Sequence, residues 1–250
     1  YIKTSAIVYT YFHQLLFLES QSNFSLKDRV LIFLKQRVID YFKQYSDYWC
    51  VQTSLVAEKL NRKFKLDTDK IKILPFYDPL RKTLSLKRKM HTYCYVANAY
   101  SYKNHFFLIE AFCVFYQKHK IGQLFLTVSN EFPEVIRQIQ EKVFLGFPIM
   151  NLGVLEREKV ARLYEESEYL VFPSSAESFG LPLVEAIEMG CKVIAPNLPY
   201  VHAVCDPSIV FDEISKESIL SALIKSLEND IPDSTAKVEN KMKDLLALLK

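Results

Sequence analysis

The strongest constraint on the fold is an alternation that starts near residue 92 and holds for more than a hundred residues. Short apolar runs at Thr92–Ala97, Leu124–Val128, Ile149–Val154, Tyr169–Phe172, Lys192–Ala195 and Ser208–Phe211 read as strands. Helical patterns fall at Asn104–Lys118, Pro133–Val143, Arg157–Glu166 and from Gly180 onward. Strands separated by helices cannot be joined as hairpins, so the pattern predicts a parallel sheet with crossover connections, a doubly wound α/β domain. Periodicity is lost between Pro75 and Met90, where two prolines are followed by Arg81, Lys82, Lys87, Arg88 and Lys89. That stretch predicts a solvated basic linker at 78–90, dividing residues 1–77 from a domain at 91–231, with helical patterning resuming at Ser215–Asn229 and a C-terminal helix in 232–250.

Ahead of the linker, Ala6–Phe12 reads as a buried strand, Tyr48–Val51 and Ile71–Leu74 as two more, and Ser54–Phe64 as a helix with Ser54 at its N-cap. Between Leu26 and Tyr45 the apolar residues Leu31, Leu34, Val38, Phe42 and Tyr45 recur at three and four, the spacing of an amphipathic helix. Its polar side carries Lys27, Arg29, Lys35, Arg37 and Lys43 against Asp28 and Asp40. Two readings fit: a solvated outer face, or a surface that rests on anionic lipid. His13 ends the first strand, where open α/β sheets place ligand crevices, although a lone histidine is more often structural.

The chemistry concentrates in Val171–Pro199, VFPSSAESFGLPLVEAIEMGCKVIAPNLP. A strand runs into a polar loop, then Gly180-Leu181-Pro182 opens a helix. Proline costs no hydrogen bond in a first turn, and Gly180 leaves the backbone open to a ligand. The free amides, with roughly +0.5 charge from the helix dipole, suit a phosphate. Glu177 and Glu185 flank this anion site with seven residues between them. Carboxylates accept hydrogen bonds, so beside a phosphate they reach for hydroxyls. Phosphates in the middle and hydroxyl-rich groups at both ends describe a nucleotide sugar.

Composition narrows the rest. Half of the 250 residues are hydrophobic and only five are glycine, which favours a packed core over disorder. A net charge of +3 is too small to argue for nucleic acid. The five cysteines are scattered without Cys-x-x-Cys spacing, the usage of reduced, buried thiols in a cytoplasmic protein. No apolar run approaches the ~18 residues of a membrane span, and no signal peptide is recognisable. The Asn23-Phe24-Ser25 sequon is accordingly read as accidental.

The Glu177 to Glu185 string, with FGLP-L-E-A between, resembles the signature of the retaining GT-B glycosyltransferases of glycosyltransferase family 4. The resemblance implies two Rossmann-like domains, here a complete donor domain and the rear of the acceptor domain, with more chain expected in front of Tyr1. It implies that Glu177 holds hydroxyls of the donor sugar, that the amides of Ser178, Phe179, Gly180 and Leu181 hold sugar and phosphate, and that Glu185 holds the ribose. His13 matches a histidine that faces the transferred sugar. Tyr95–Phe112 resembles the second phosphate-contacting segment, where the family's wording is Val-Gly-Arg, a gap, then Lys. Lys103 keeps its place, but Ala97 stands for the glycine and Asn98 for the arginine. A missing charge-assisted contact is worth about 1.5–3 kcal/mol, so Lys103 carries more of the charge. Val154, after Gly153, matches the position that seats the base, and His105 is expected to be structural.

The expected activity is therefore transfer of a sugar, mannose being a common case among such relatives, from a nucleoside-diphosphate donor to a saccharide or lipid-linked acceptor. The wording resembles bacterial enzymes that build surface polysaccharide and O-antigen, working at the cytoplasmic face of the inner membrane. No metal or other cofactor is expected, because no His cluster offers ligands. Two other classes remain open: a nucleotide-sugar-binding module without transfer, and a GT-B sugar-nucleotide epimerase.

Overall fold

The computed structural model describes residues 6–18, 26–82, 87–212 and 214–248. The sequon at Asn23 and the middle of the basic linker lie outside the described residues. The chain divides into two units, one of residues 1–77, 177–179 and 239–250, the other of residues 78–176 and 180–238.

In the first unit the order is β1 (Tyr9–Tyr11), α1 (Leu26–Phe42), β2 (Tyr48–Val51), α2 (Ser54–Phe64) and β3 (Ile71–Ile73). The three strands form a parallel sheet in the order β1-β2-β3. Trp49, Val51, Val56, Leu60 and Phe64 pack with Phe12 and Leu15 as its core, joined by Ile39 of α1. β1 is shorter than the apolar run from Ala6 suggests. The cap of α2 is Thr53 rather than Ser54: the Thr53 hydroxyl accepts from the Val56 amide at 3.3 Å.

The face of α1 that turns inward differs from the expected one. Ile32 and Gln36 are buried and Gln36 donates to the Phe17 carbonyl at 2.6 Å. Leu31, Leu34 and Val38 point outward, each about half exposed. Both sets recur at three and four, so spacing alone could not choose between them.

The second unit contains β4 (Lys89–Tyr95), α3 (His105–His119), β5 (Gln123–Leu126), α4 (Pro133–Phe144), β6 (Ile149–Asn151), α5 (Arg157–Glu166), β7 (Ser167–Val171), α6 (Leu181–Glu188), β8 (Lys192–Pro196), α7 (Pro199–His202), β9 (Cys205–Asp206), β10 (Ile209–Phe211), α8 (Lys216–Lys225) and β11 (Thr235–Ala236). Six strands form one sheet, β10-β8-β7-β4-β5-β6, and every pairing is parallel. This is the doubly wound sheet that the alternation predicts. A small antiparallel pair, β9 with β11, is additional. The C-terminal patterning does not produce a helix from Ser234; β11 comes first, and a short α9 (Met242–Leu248) follows within the first unit, where the Lys241 amide donates to the Pro75 carbonyl.

The core of this sheet is aromatic. Tyr93 stacks on Tyr169 with centroids 5.6 Å apart and meets Phe115 edge-on at 5.7 Å. Burying two phenols is tolerable because each hydroxyl has a partner on Ser226: Tyr93 bonds its hydroxyl at 2.7 Å and Tyr169 donates to its carbonyl at 3.1 Å.

Arg88 corrects the reading of the linker as a solvated basic hinge. Its guanidinium donates to the carbonyls of Tyr164, Ser167 and Met189, the last at 2.8 Å. Those are the C-terminal carbonyls of α5 and α6, which helices leave without partners of their own. A fixed planar fork suits three acceptors better than a mobile lysine would. Lys89 beside it is also engaged, with Glu166 at 2.8 Å.

Candidate functional site

Sheet order locates the site in the second unit. From β4 the chain moves outward through β5 and β6, then crosses back so that β7, β8 and β10 build the other half. The loops after β4 and β7 therefore diverge between two adjacent strands, the switch point where open α/β sheets form a ligand crevice at the carboxyl ends. α3 and α6 both start there, and neither start carries a side-chain cap. Gly180, the N-cap of α6, has φ +76°, a left-handed conformation that favours glycine. Leu181 follows as the first helical residue, so its amide is one of those that an α-helix leaves unpaired.

The two loops are bolted together. The Ser175 amide donates to the Tyr102 carbonyl at 2.8 Å and its hydroxyl to the same oxygen at 3.0 Å. Asn104 does not cap α3; its amide side chain donates to the Pro173 carbonyl at 2.8 Å and to Tyr102. The Tyr95 hydroxyl donates to the Lys103 carbonyl at 3.0 Å. Lys103 is thus held on a rigid turn, its ammonium 5.3 Å from the centre of the Phe172 ring. Asn98 lies exposed in the same loop, and Val154 lies 77% exposed beyond β6, on the same sheet edge but two strands further out.

Glu185 sits inside α6 and is only 4% exposed. Burial pushes its carboxyl above the usual carboxylate range, and the Arg157 guanidinium, 3.1 Å away, pulls in the other direction. Arg157 in turn meets the Asp78 carboxylate at 3.4 Å. The Tyr164 hydroxyl, fully buried, has no hydrogen-bond partner among the described residues, and the neighbouring Glu185 charge adds to the burial that raises its pKa. Arg157 escaped the sequence reading, since it lies 28 positions before Glu185 with only the sheet crossover to join them.

His105, expected to be structural, is 2% exposed and stacks on Tyr95 at 4.5 Å. Burial, with Lys103 adding to it, lowers its pKa to about 3. It is a neutral packing group beneath the Lys103 turn.

The remaining candidates belong to the first unit. The Ser178 hydroxyl donates to the His13 carbonyl and accepts from the Leu15 amide at 3.0 Å. Phe179 is buried against Tyr77, with centroids 5.9 Å apart, so only its backbone is available to a ligand. Glu177 is partly buried at the head of the same segment. His13 stacks on Tyr11 at 5.3 Å, exposed at the mouth of a cavity of about 260 Å³ lined also by Phe12, Phe17, Val38 and Trp49. Among the described residues no three His, Cys, Asp or Glu side chains group as metal ligands.

The family model of the glycosyl transferases group 1 matches residues 77–244, well over half of the chain. The chain belongs to the glycosyl transferases group 1 family. Relatives of this family member include the O-antigen chain mannosyltransferase RfbU of Salmonella typhimurium, 21% identical over 187 residues that make up 74% of this chain and 52% of that protein. The tRNA-queuosine alpha-mannosyltransferase of Drosophila melanogaster is 30% identical over 133 residues, 51% of this chain and 32% of that one. The chain thus spans about half or less of the curated relatives it matches. Among solved structures, the pneumococcal O-GlcNAc transferase GtfA in complex with UDP and GlcNAc aligns with a TM-score of 0.63 at 20% identity, over 78% of this chain and 42% of that one. Anabaena Alr3699/HepE in complex with UDP and glucose aligns at 0.66 and 14% identity, over 89% and 62%. These likenesses establish a GT-B glycosyltransferase fold.

Proposed function

We propose that this family member transfers a hexosyl unit, with retention of anomeric configuration, from a nucleoside-diphosphate sugar to a saccharide or lipid-linked acceptor of bacterial polysaccharide assembly. The observation that carries the reading is the bolted pair of loops at the switch point, which holds Lys103 and the uncapped start of α6 on one sheet edge. As the nucleoside diphosphate leaves, negative charge grows on its terminal phosphate. Lys103 and the Gly180 and Leu181 amides stabilise that charge without rearranging. Glu185 accepts from the ribose hydroxyls, Val154 borders the base, and Asn98 supplies a neutral donor where the resembled motif has arginine. Glu177 orients the donor sugar through its hydroxyls, with the Ser178 and Phe179 backbone beside it, and His13 serves the acceptor. The reading requires no metal. Low-identity O-antigen mannosyltransferase relatives support mannose as the hexose, and the structural neighbours carrying UDP support a nucleotide on the donor side.

Thermal shift with UDP, GDP, ADP and their sugar derivatives tests the reading, since a ligand of the native state raises the melting temperature. One nucleotide class should stabilise the chain, Glu185→Ala and Lys103→Ala should remove the response, and transfer to a saccharide acceptor should persist in EDTA. Silence with every nucleotide in the intact protein overturns it. Asn98 in place of arginine favours a second reading, binding without transfer. Stabilisation by a nucleotide sugar with no product from any acceptor would select it.

A further inference from the structure

We infer that Tyr102 is a positioning residue: its ring and that of Phe172 hold the Lys103 ammonium ready for the terminal phosphate of a nucleoside diphosphate. The role rests on the transferase reading above, in which Lys103 meets the leaving group.

Residues 97–104 and 172–176, the two loops bolted together at the switch point, include one lysine and no arginine. A lysine carries its charge on a flexible four-carbon stem, so fixing the backbone turn does not by itself fix the ammonium. Two ring faces do. The ammonium lies 5.5 Å from the centre of the Tyr102 ring and 5.3 Å from that of Phe172. Both distances are within reach of a cation–π attraction, and a ring face draws in an ammonium without neutralising it.

The rings are themselves fixed. Phe172 is fully buried and meets the Tyr95 ring edge-on at 5.6 Å. Tyr102 stacks on Tyr100 with centroids 5.9 Å apart and planes 1° from parallel, and Tyr100 meets Phe132, the N-cap of α4, edge-on at 5.2 Å. The Tyr102 carbonyl accepts from the Ser175 amide, the Ser175 hydroxyl and the Asn104 side chain, so the backbone that bears the ring is held as well. Beneath the turn His105 is kept neutral by burial, so no second positive charge pushes the ammonium away. An ammonium guided in this way answers charge on a phosphate without rearranging first.

The affinity of UDP against UMP, and of GDP against GMP, measured by calorimetric titration of the full chain, isolates the terminal phosphate. In one pair the diphosphate should bind more tightly, and Lys103→Ala should remove that advantage. Tyr102→Leu should reduce it about three- to tenfold and leave the monophosphate affinity unchanged, whereas Tyr102→Phe should keep it. One, two and then three fluorines on the ring of the Tyr102→Phe variant drain negative potential from its face with little change of shape. The diphosphate advantage should fall at each step, which packing alone would not produce. A diphosphate advantage that Lys103→Ala removes, but that the fluorine series leaves flat, overturns the role of Tyr102 and leaves the donor reading standing. Silence with both pairs overturns the donor reading and this role with it. Should Tyr102→Leu lose the monophosphate too, the turn has collapsed in that variant, and the fluorine series, which keeps the ring, decides.

Discussion

Replacing Arg88 by alanine removes one side chain and unties two helices. Three carbonyls lose a charged donor: Tyr164 in the last turn of α5, Ser167 at its end, and Met189 at the end of α6. A hydrogen bond to a charged group is worth about 1.5–3 kcal/mol when buried. Arg88 is only partly buried, so water replaces part of each bond, and about 1 kcal/mol per carbonyl is the appropriate figure. The expected loss is about 3 kcal/mol, which for a unit of this size lowers the melting temperature by roughly 6–12 °C. Differential scanning calorimetry of the ligand-free chain measures it. The same clamp holds the C-terminal end of α6, whose first residues carry Gly180 and Leu181, so nucleotide affinity should fall as well. Arg88→Lys, which keeps the charge but not the fork, should recover less than half of the loss. A drop below about 1 kcal/mol would refute the clamp and return Arg88 to the status of a surface cation.

Gly190 tests the same clamp from the other side. It has φ +82°, and a Cβ there would lie 2.9 Å from an Arg88 guanidinium nitrogen, so Gly190→Ala should destabilise by about 1–3 kcal/mol, and less than additively with Arg88→Ala in calorimetry of the double variant. His105, neutral in the fold with a pKa lowered to about 3 from 6.5, contributes stability that is complete above pH 6.5 and is lost as pH falls towards 3. His105→Phe, which keeps a ring on Tyr95, should flatten that acid limb in a pH series of melting temperatures. Glu185 has the opposite sign: its folded pKa lies above 4.5, so its contribution is largest below that value and shrinks as pH rises through the folded pKa. Glu185→Gln should flatten the series in that window and weaken nucleotide binding at neutral pH, both read by thermal shift.

What the sequence displayed was local, and what it concealed depended on the fold. The six strands of the second unit were visible because each is an apolar run bounded by turn residues, and a parallel sheet is nearly all interior. The start of α6 was visible because Gly-Leu-Pro is a helix opening on its own terms. Arg88 read as a hinge because a clamp on carbonyls of Tyr164, Ser167 and Met189 has no sequence periodicity; backbone acceptors are anonymous in a sequence. The inward side of α1 was misassigned because Leu31-Leu34-Val38 and Ile32-Gln36-Ile39 both have helical spacing, and a glutamine in the buried set disguises it. That Gln36 is buried makes sense only once the Phe17 carbonyl is beside it.

Arg157 marks where the site departs most from a reading by motif. A carboxylate meant for ribose hydroxyls must stay ionised to accept both, yet Glu185 is more deeply buried than an unpaired carboxylate tolerates. Arg157 reconciles the two demands, approaching one carboxylate oxygen at 3.1 Å from the start of α5 and leaving the remaining lone pairs for a ligand. It is itself 48% exposed and tied to Asp78, so the balance can be moved from outside. Losing Arg157 would leave burial unopposed, raise the Glu185 pKa further and protonate the group that should accept. Arg157→Met should therefore weaken nucleotide binding most between the folded pKa of Glu185 in the parent and the higher one in the variant, and least outside that window, where both forms are protonated or both are ionised. A loss of affinity that is the same at every pH would mean that Arg157 touches the ligand itself instead of acting through Glu185.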